Sequence, residues 1–240
     1  MYLHAFLRAV ALAIAVSLAM PASAQEKTGI KPGFVLQPGT VRIVMMRPSI
    51  KVGAQSTGGM FEPNADWTTQ ARDNLGNALA SAQSALGNAV VQFDETPAQN
   101  PMVVNQYRSL FSALAGSVIE YQFFRGNRLP TKVRKGQFDW SIGGEIAQIP
   151  GLKDADYILF ITTEDHYGST GRKMLQIAAA LGGIGVTAGV HKGYAGLINA
   201  KTGELVWLNA DAQMGGDVRT PEGAVKRVNQ LLEGFPGRTR

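Results

Sequence analysis

Residues 155–165 read ADYILFITTED, and Tyr157 to Ile161 within them are five apolar residues in a row, rich in β-favouring types. A run this short with no polar position to mark an outward face predicts a central strand covered on both sides. Downstream, Tyr194 to Ile198 and Leu205 to Leu208 flank Asn199-Ala200-Lys201-Thr202-Gly203. That pattern predicts a β-hairpin whose Gly203 takes the positive φ that a tight turn needs. Between strand and hairpin lie a polar loop and then the interval Met174 to Val190, which holds no charged side chain, begins helically and ends rich in glycine.

Upstream of the run, Val41, Ile43, Val44, Met45 and Met46 crowd the stretch Thr40 to Val52 and predict a further buried strand, closed by Arg47-Pro48. Ser56 to Asn64 reads as a surface loop, with Asn64 or Asp66 placed to cap a helix. In that helix Trp67, Ala71, Leu75, Ala78, Leu79, Ala82 and Leu86 recur three or four apart, and Gly87-Asn88 can end it. Ala89 to Phe93 predicts a short strand. A second helix is marked by Val103, Val104, Tyr107, Leu110, Phe111, Leu114, Val118 and Ile119. Residues 125 to 154 read as loop with a short helical turn. The last helix starts at Thr220 as cap and Pro221 as first helical residue, with Ala224, Val225, Val228, Leu231, Leu232 and Phe235 as its apolar face. These elements predict a single α/β domain over residues 40–236, a mixed β-sheet with packed helices.

The N-terminus carries a basic region with His4 and Arg8, an apolar run from Ala9 to Met20 and the small-residue pattern Ala22-Ser23-Ala24. This is the pattern of a cleavable signal peptide over residues 1–24; the apolar run is shorter than the roughly 20 residues that cross a bilayer. Residues 25–39, rich in Gly, Pro, Lys and Gln, read as a flexible leader. The expected address is the periplasm. With no cysteine in the chain there is no disulfide, thiolate metal ligand or thiol nucleophile, and no lipid acceptor at the signal junction. Removal of the signal leaves 22 Lys and Arg against 18 Asp and Glu, a mild positive balance with modest clusters at Arg125, Arg128, Lys132, Arg134 and Lys135 and at the C-terminus. Basic residues interleaved with aromatics, the footprint of nucleic-acid binding, are not found.

The hairpin GYAGLINAKTGELVWLN at 193–209, preceded by ADYILFITTED, resembles the fold shared by the curli-secretion pore lipoprotein CsgG, the N-terminal domain of TolB and related envelope accessory lipoproteins. GGMFEPNADWTTQARDNLGNAL at 58–79 is similar to exported Gram-negative proteins that carry the same domain. The resemblance covers most of residues 40–235 and implies a three-layer sandwich in a non-lipidated variant. It does not carry the curli pore's membrane strands, because residues 172–195 lack two alternating segments of about ten residues.

Thr162-Thr163-Glu164-Asp165-His166-Tyr167 places two carboxylates and an imidazole just after the central strand, where open α/β sheets often hold sites. A hydrolase or metal site built there would use Glu164, Asp165 and His166, with His191 as a second imidazole. On an extended chain, however, consecutive side chains point to opposite sides, and the segment also reads as a solvated loop. Gly168 to Lys173 misses phosphate-loop spacing, Gly183 to Gly189 misses the dinucleotide fingerprint by one place, and no G-x-S-x-G elbow occurs after the signal. The uncharged 174–190 interval reads as a buried helix and turn on the sheet, or alternatively as an apolar surface for a membrane or another subunit.

The leading functional expectation is a non-enzymatic periplasmic protein that binds another envelope protein or complex, accessory to outer-membrane or secretion assembly. Its candidate binding surface is Phe61, Trp67, Arg125, Arg128, Lys135, Leu175, Ile184 and Val186, with no cofactor or metal. Peripheral membrane contact and self-association are the accompanying expectations. The alternatives are a periplasmic hydrolase or metal-dependent enzyme at the 162–167 segment, and a homo-oligomeric ring or pore subunit.

Overall fold

A computed structural model describes residues 27–95, 101–123, 137–187 and 189–238. The signal segment and Arg125, Arg128 and Lys135 lie outside the described residues. The strands are β1 (Lys27–Ile30), β2 (Arg42–Met45), β3 (Ser49–Gln55), β4 (Phe61–Pro63), β5 (Ala89–Gln92), β6 (Tyr157–Gly168), β7 (Gly189–Asn199) and β8 (Leu205–Asp211). The helices are α1 (Ala65–Ala82), α2 (Pro101–Val118), α3 (Thr170–Leu181) and α4 (Pro221–Leu231).

One mixed sheet runs β1-β8-β7-β6-β2-β5, with β3 also paired to β6 and β4 to β3. The strand deduced from YILFI is its centre and is longer than the apolar run. Tyr157 to Leu159 pair with β2, and Ser49 to Gln55 of β3 pair with Thr162 to Gly168 farther along the same strand. β2 and β3 are therefore two strands, not one strand with a tail. Pro48 has no N–H for the ladder, so pairing stops at Arg47-Pro48 and resumes beyond it. The segment expected to be a leader also joins the fold, since Lys27–Ile30 pairs antiparallel with β8 and Leu36 is buried.

Alternation along β6 divides the core in two. Leu159 and Ile161 face Ala71, Leu75 and Leu79 of α1 and Val228 and Leu231 of α4. Ile158 and Phe160 face Phe111, Ala115 and Val118 of α2, together with Phe138, Trp140 and Ile146 from the largely irregular 137–155 segment. The result is three layers: α1 and α4, the sheet, then α2 with that segment. Gly196 makes the second layer possible, because a Cβ there would lie 2.7 Å from the Phe111 ring, which stacks on Phe160 at 4.6 Å.

The caps fall where the sequence placed them. Asn64 accepts from the Trp67 N–H and Thr220 from the Gly223 N–H, with Pro221 in the first turn of α4. Gly87 is left-handed after the 3-10 turn Gln83–Leu86, and Gly203 has φ +71° in the β7–β8 turn. A second 3-10 turn, Gly144–Gln148, lies in the 137–155 segment. Among the described residues no helix is long and apolar enough to cross a membrane.

Candidate functional site

The far half of β6 is paired to β3 on one edge and to β7 on the other. Thr162 to Tyr167 are thus strand residues, not the polar loop expected, because both edges find backbone partners. Alternation then separates the three candidate residues. Asp165 faces α4, whereas Glu164 and His166 face the α2 side.

On the α4 side Asp165 and Arg227 form a wholly buried pair. Arg227 donates from Nη1 to Asp165 Oδ2 at 2.8 Å and from Nη2 to Oδ1 at 2.7 Å. Its remaining donors reach the Thr163 hydroxyl and the carbonyls of Gly215 and Gly216. Thr163 donates to Asp165 Oδ2 at 3.0 Å, and His191 Nδ1 lies 2.8 Å from Oδ1. Burial pushes the Asp165 carboxyl up, but the hydrogen bonds of His191 and Arg227 and their charges outweigh it and hold the group below its ordinary range. With both oxygens committed to a guanidinium, a hydroxyl and an imidazole, this carboxylate orients His191 and anchors α4 to the sheet.

Next along the same face, Tyr167 donates to Asp217 Oδ1 at 2.7 Å and accepts from the Val218 N–H at 3.2 Å. Arg219 grips Asp217 through Nε at 2.9 Å and Nη2 at 2.7 Å. Its guanidinium lies 3.6 Å from the Tyr167 ring centroid and 4.6 Å from that of Trp67, a cation–π stack. Trp67, a candidate contact residue, is thereby half-buried beneath an arginine. Hydrogen bonds from Arg219 hold the Asp217 carboxyl well below the carboxylate range against the opposing effect of burial, with Tyr167 adding to them. Burial first, then the bond to Asp217, pushes the Tyr167 hydroxyl far up.

Depressed carboxyl pKa values contribute stability that is fully present above the unfolded value, about 3.9, and lost as pH falls through the folded one. The urea midpoint is expected to drop steeply below about pH 4. In Asp165→Asn the acid-side slope should be shallower; an unchanged slope would locate the acid sensitivity elsewhere.

On the opposite face Glu164 Oε1 lies 2.8 Å from His166 Nε2, and Oε2 lies 3.3 Å from Lys192 Nζ. Phe61 stacks on His166 with ring centroids 4.1 Å apart, so this candidate contact residue packs on the sheet. Among the described residues no group of three or more His, Cys, Asp or Glu side chains is placed to hold a metal ion.

Of the two readings of the uncharged interval, the structure removes one. No residue of α3 is buried, so the reading of a helix packed on the sheet is corrected. Ser169 caps it, and it projects from the sheet end, joining β6 to β7. Met174, Ile177 and Leu181 are 64, 60 and 87% exposed, and Ile184 just after the helix is 64% exposed. Leu175 is exposed as well, while Val186 is half-buried. Arg172 ties the base of α3 to the 56–60 loop by donating to the Thr57 carbonyl at 3.2 Å, which brings Met60, 75% exposed, to the same end of the molecule. Two surfaces read separately in the sequence are therefore joined.

Arg227, Thr163, Lys192, Asp217 and Arg219 were not singled out from the sequence. Arg227 had a legible signal: it sits inside the stripe Ala224, Val228, Leu231, where a lone charge on a buried face calls for a buried partner. Asp217 and Arg219 precede the helix cap with no comparable pattern.

No family model and no curated protein matches the chain. Among solved structures it is similar to the PelC dodecamer from Paraburkholderia phytofirmans, at 13% identity over 90% of this chain and 99% of that chain, with a TM-score of 0.37. A point variant of that dodecamer aligns at 15% identity over the same shares, with a TM-score of 0.38. At these scores the likeness carries no inference about this chain.

Proposed function

We propose that the chain is a non-enzymatic, exported envelope protein of the CsgG and TolB N-terminal-domain type, and that it binds another cell-envelope component through α3 and the adjoining 56–60 loop. The observation that carries the reading is the helix itself. Its large apolar side chains stand in solvent, and contiguous apolar exposure of this kind marks an interaction surface. From His166 to Gly203 there is no acidic side chain, and Arg172 and Lys173 flank the apolar residues, so the face suits a partner with an apolar patch edged by acidic groups. The signal-like N-terminus supplies the address.

A photocrosslinking side chain at Ile177 or Leu181, in cells that export the protein, is expected to trap an envelope protein; the same probe at Asn105, exposed on α2, should not. Ile177→Glu with Leu181→Glu is expected to abolish the adduct while leaving the melting temperature within about 2 °C, because exposed sites move stability by less than about 0.5 kcal/mol. Crosslinks confined to a second copy would support a homo-oligomer on this face instead. Absence of any adduct at both positions would sink the proposal.

A further inference from the structure

A cleft of about 350 Å³ lies on the α2 side of the sheet, near the far end of β6. Its wall on the helix side is a stripe at four-, three- and four-residue spacing, Ser112, Gly116, Ile119 and Phe123, of which the last two belong to the π turn Ile119–Phe123 that continues α2. Its floor is β7 and β8 around Tyr194 and Ala210, cross-strand partners that share a face. The space exists because small residues leave it: a Cβ on Gly116 would meet nothing within 4 Å. Glu164 and Lys192 stand at the polar side of the cleft, 3.3 Å apart, with His166 on the other carboxylate oxygen.

We infer that this cleft binds a single-chain zwitterionic amphiphile, with its chain between α2 and the sheet and its paired charges inserted between Lys192 and Glu164. The volume lies at the low end for ligand sites, where roughly 300–1,000 Å³ is usual, so one chain fits and a two-chain lipid does not. The polar edge selects the head. An anion must draw Lys192 away from Glu164, and a cation must draw Glu164 away from Lys192 and His166. Asp211 also lines the cleft; a zwitterion gives Lys192 and Glu164 each a new partner and adds no net charge, the arrangement that charge complementarity favours. This site is separate from α3.

The test is calorimetric titration of the folded protein with dodecylphosphocholine below its micelle concentration, compared with dodecanoate. Saturable binding of one molecule per chain is expected, about threefold or more tighter for the zwitterion. Gly116→Leu should fill the cleft and weaken binding more than about tenfold. Its melting temperature should not fall, since leucine replaces glycine in a helix where space is open. Ser112→Leu blocks the same wall and serves if Gly116→Leu does not fold. Lys192→Gln and Glu164→Gln should each cost about threefold. Equal affinity for dodecanoate, unchanged affinity in both leucine variants, or no saturable binding would each overturn the inference. Loss of binding in the Ile177→Glu, Leu181→Glu protein would do the same, by placing the amphiphile on α3.

Discussion

Asp165→Ala is expected to lower the unfolding free energy by about 3–5 kcal/mol, because it strands a buried charge. Arg227 has no exposed surface, and two of its nitrogens lie 2.7 and 2.8 Å from the Asp165 carboxylate. The carbonyls of Gly215 and Gly216 and the Thr163 hydroxyl remain as partners, but none carries charge. In a domain of this size the melting temperature should fall on the order of 10 °C. Asp165→Leu combined with Arg227→Met is expected to recover most of the loss, since a buried ion pair replaced by apolar groups of similar volume is often near neutral. Thermal unfolding of Asp165→Leu, Arg227→Met and the double gives the coupling energy directly. If the Asp165→Ala loss is under about 1 kcal/mol, Arg227 reaches water when the carboxylate is gone, and the pair is not the clamp between α4 and β6.

The same pair shows where sequence reading stops. The central strand, the hairpin with Gly203, both helix caps and, apart from the exposed Leu110 and Val225, the apolar stripes of α1, α2 and α4 follow from local patterns of period two or period 3.6, and those patterns are local because each element buries one face or both. The polar half of β6 had no such pattern. The polar side chains of TTEDHY, residues 162–167, read alike in a solvated loop and in a strand, and only the pairing to β3 and β7 decides it. Glu164, Asp165 and His166 were legible as a cluster of chemistry-bearing residues, whereas their division between two faces depended on that pairing. Sequence could not choose between the two readings of α3 for the opposite reason. A helix with an apolar stripe carries the same signal whether that stripe meets the sheet or stands in solvent, because hydrophobicity says that burial is favourable without saying against what.

Trp207→Ala is expected to destabilise by about 3–5 kcal/mol, the usual cost of truncating a buried tryptophan, whereas Trp207→Phe should cost far less than its lost volume suggests. Trp207 has no exposed surface and meets Phe235 edge-on at 5.2 Å, holding the C-terminal segment against β8. Its indole N–H is buried and finds no hydrogen-bond partner among the described residues. An unpaired buried donor costs about 1–3 kcal/mol, and phenylalanine removes that donor while keeping a ring against Phe235. The two effects oppose each other, so the net loss for Trp207→Phe should be under about 1.5 kcal/mol. Urea unfolding of the two variants separates packing from polarity at this site. If phenylalanine proves as damaging as alanine, the indole shape carries the contact, and the buried N–H is not the burden on this strand that its surroundings imply.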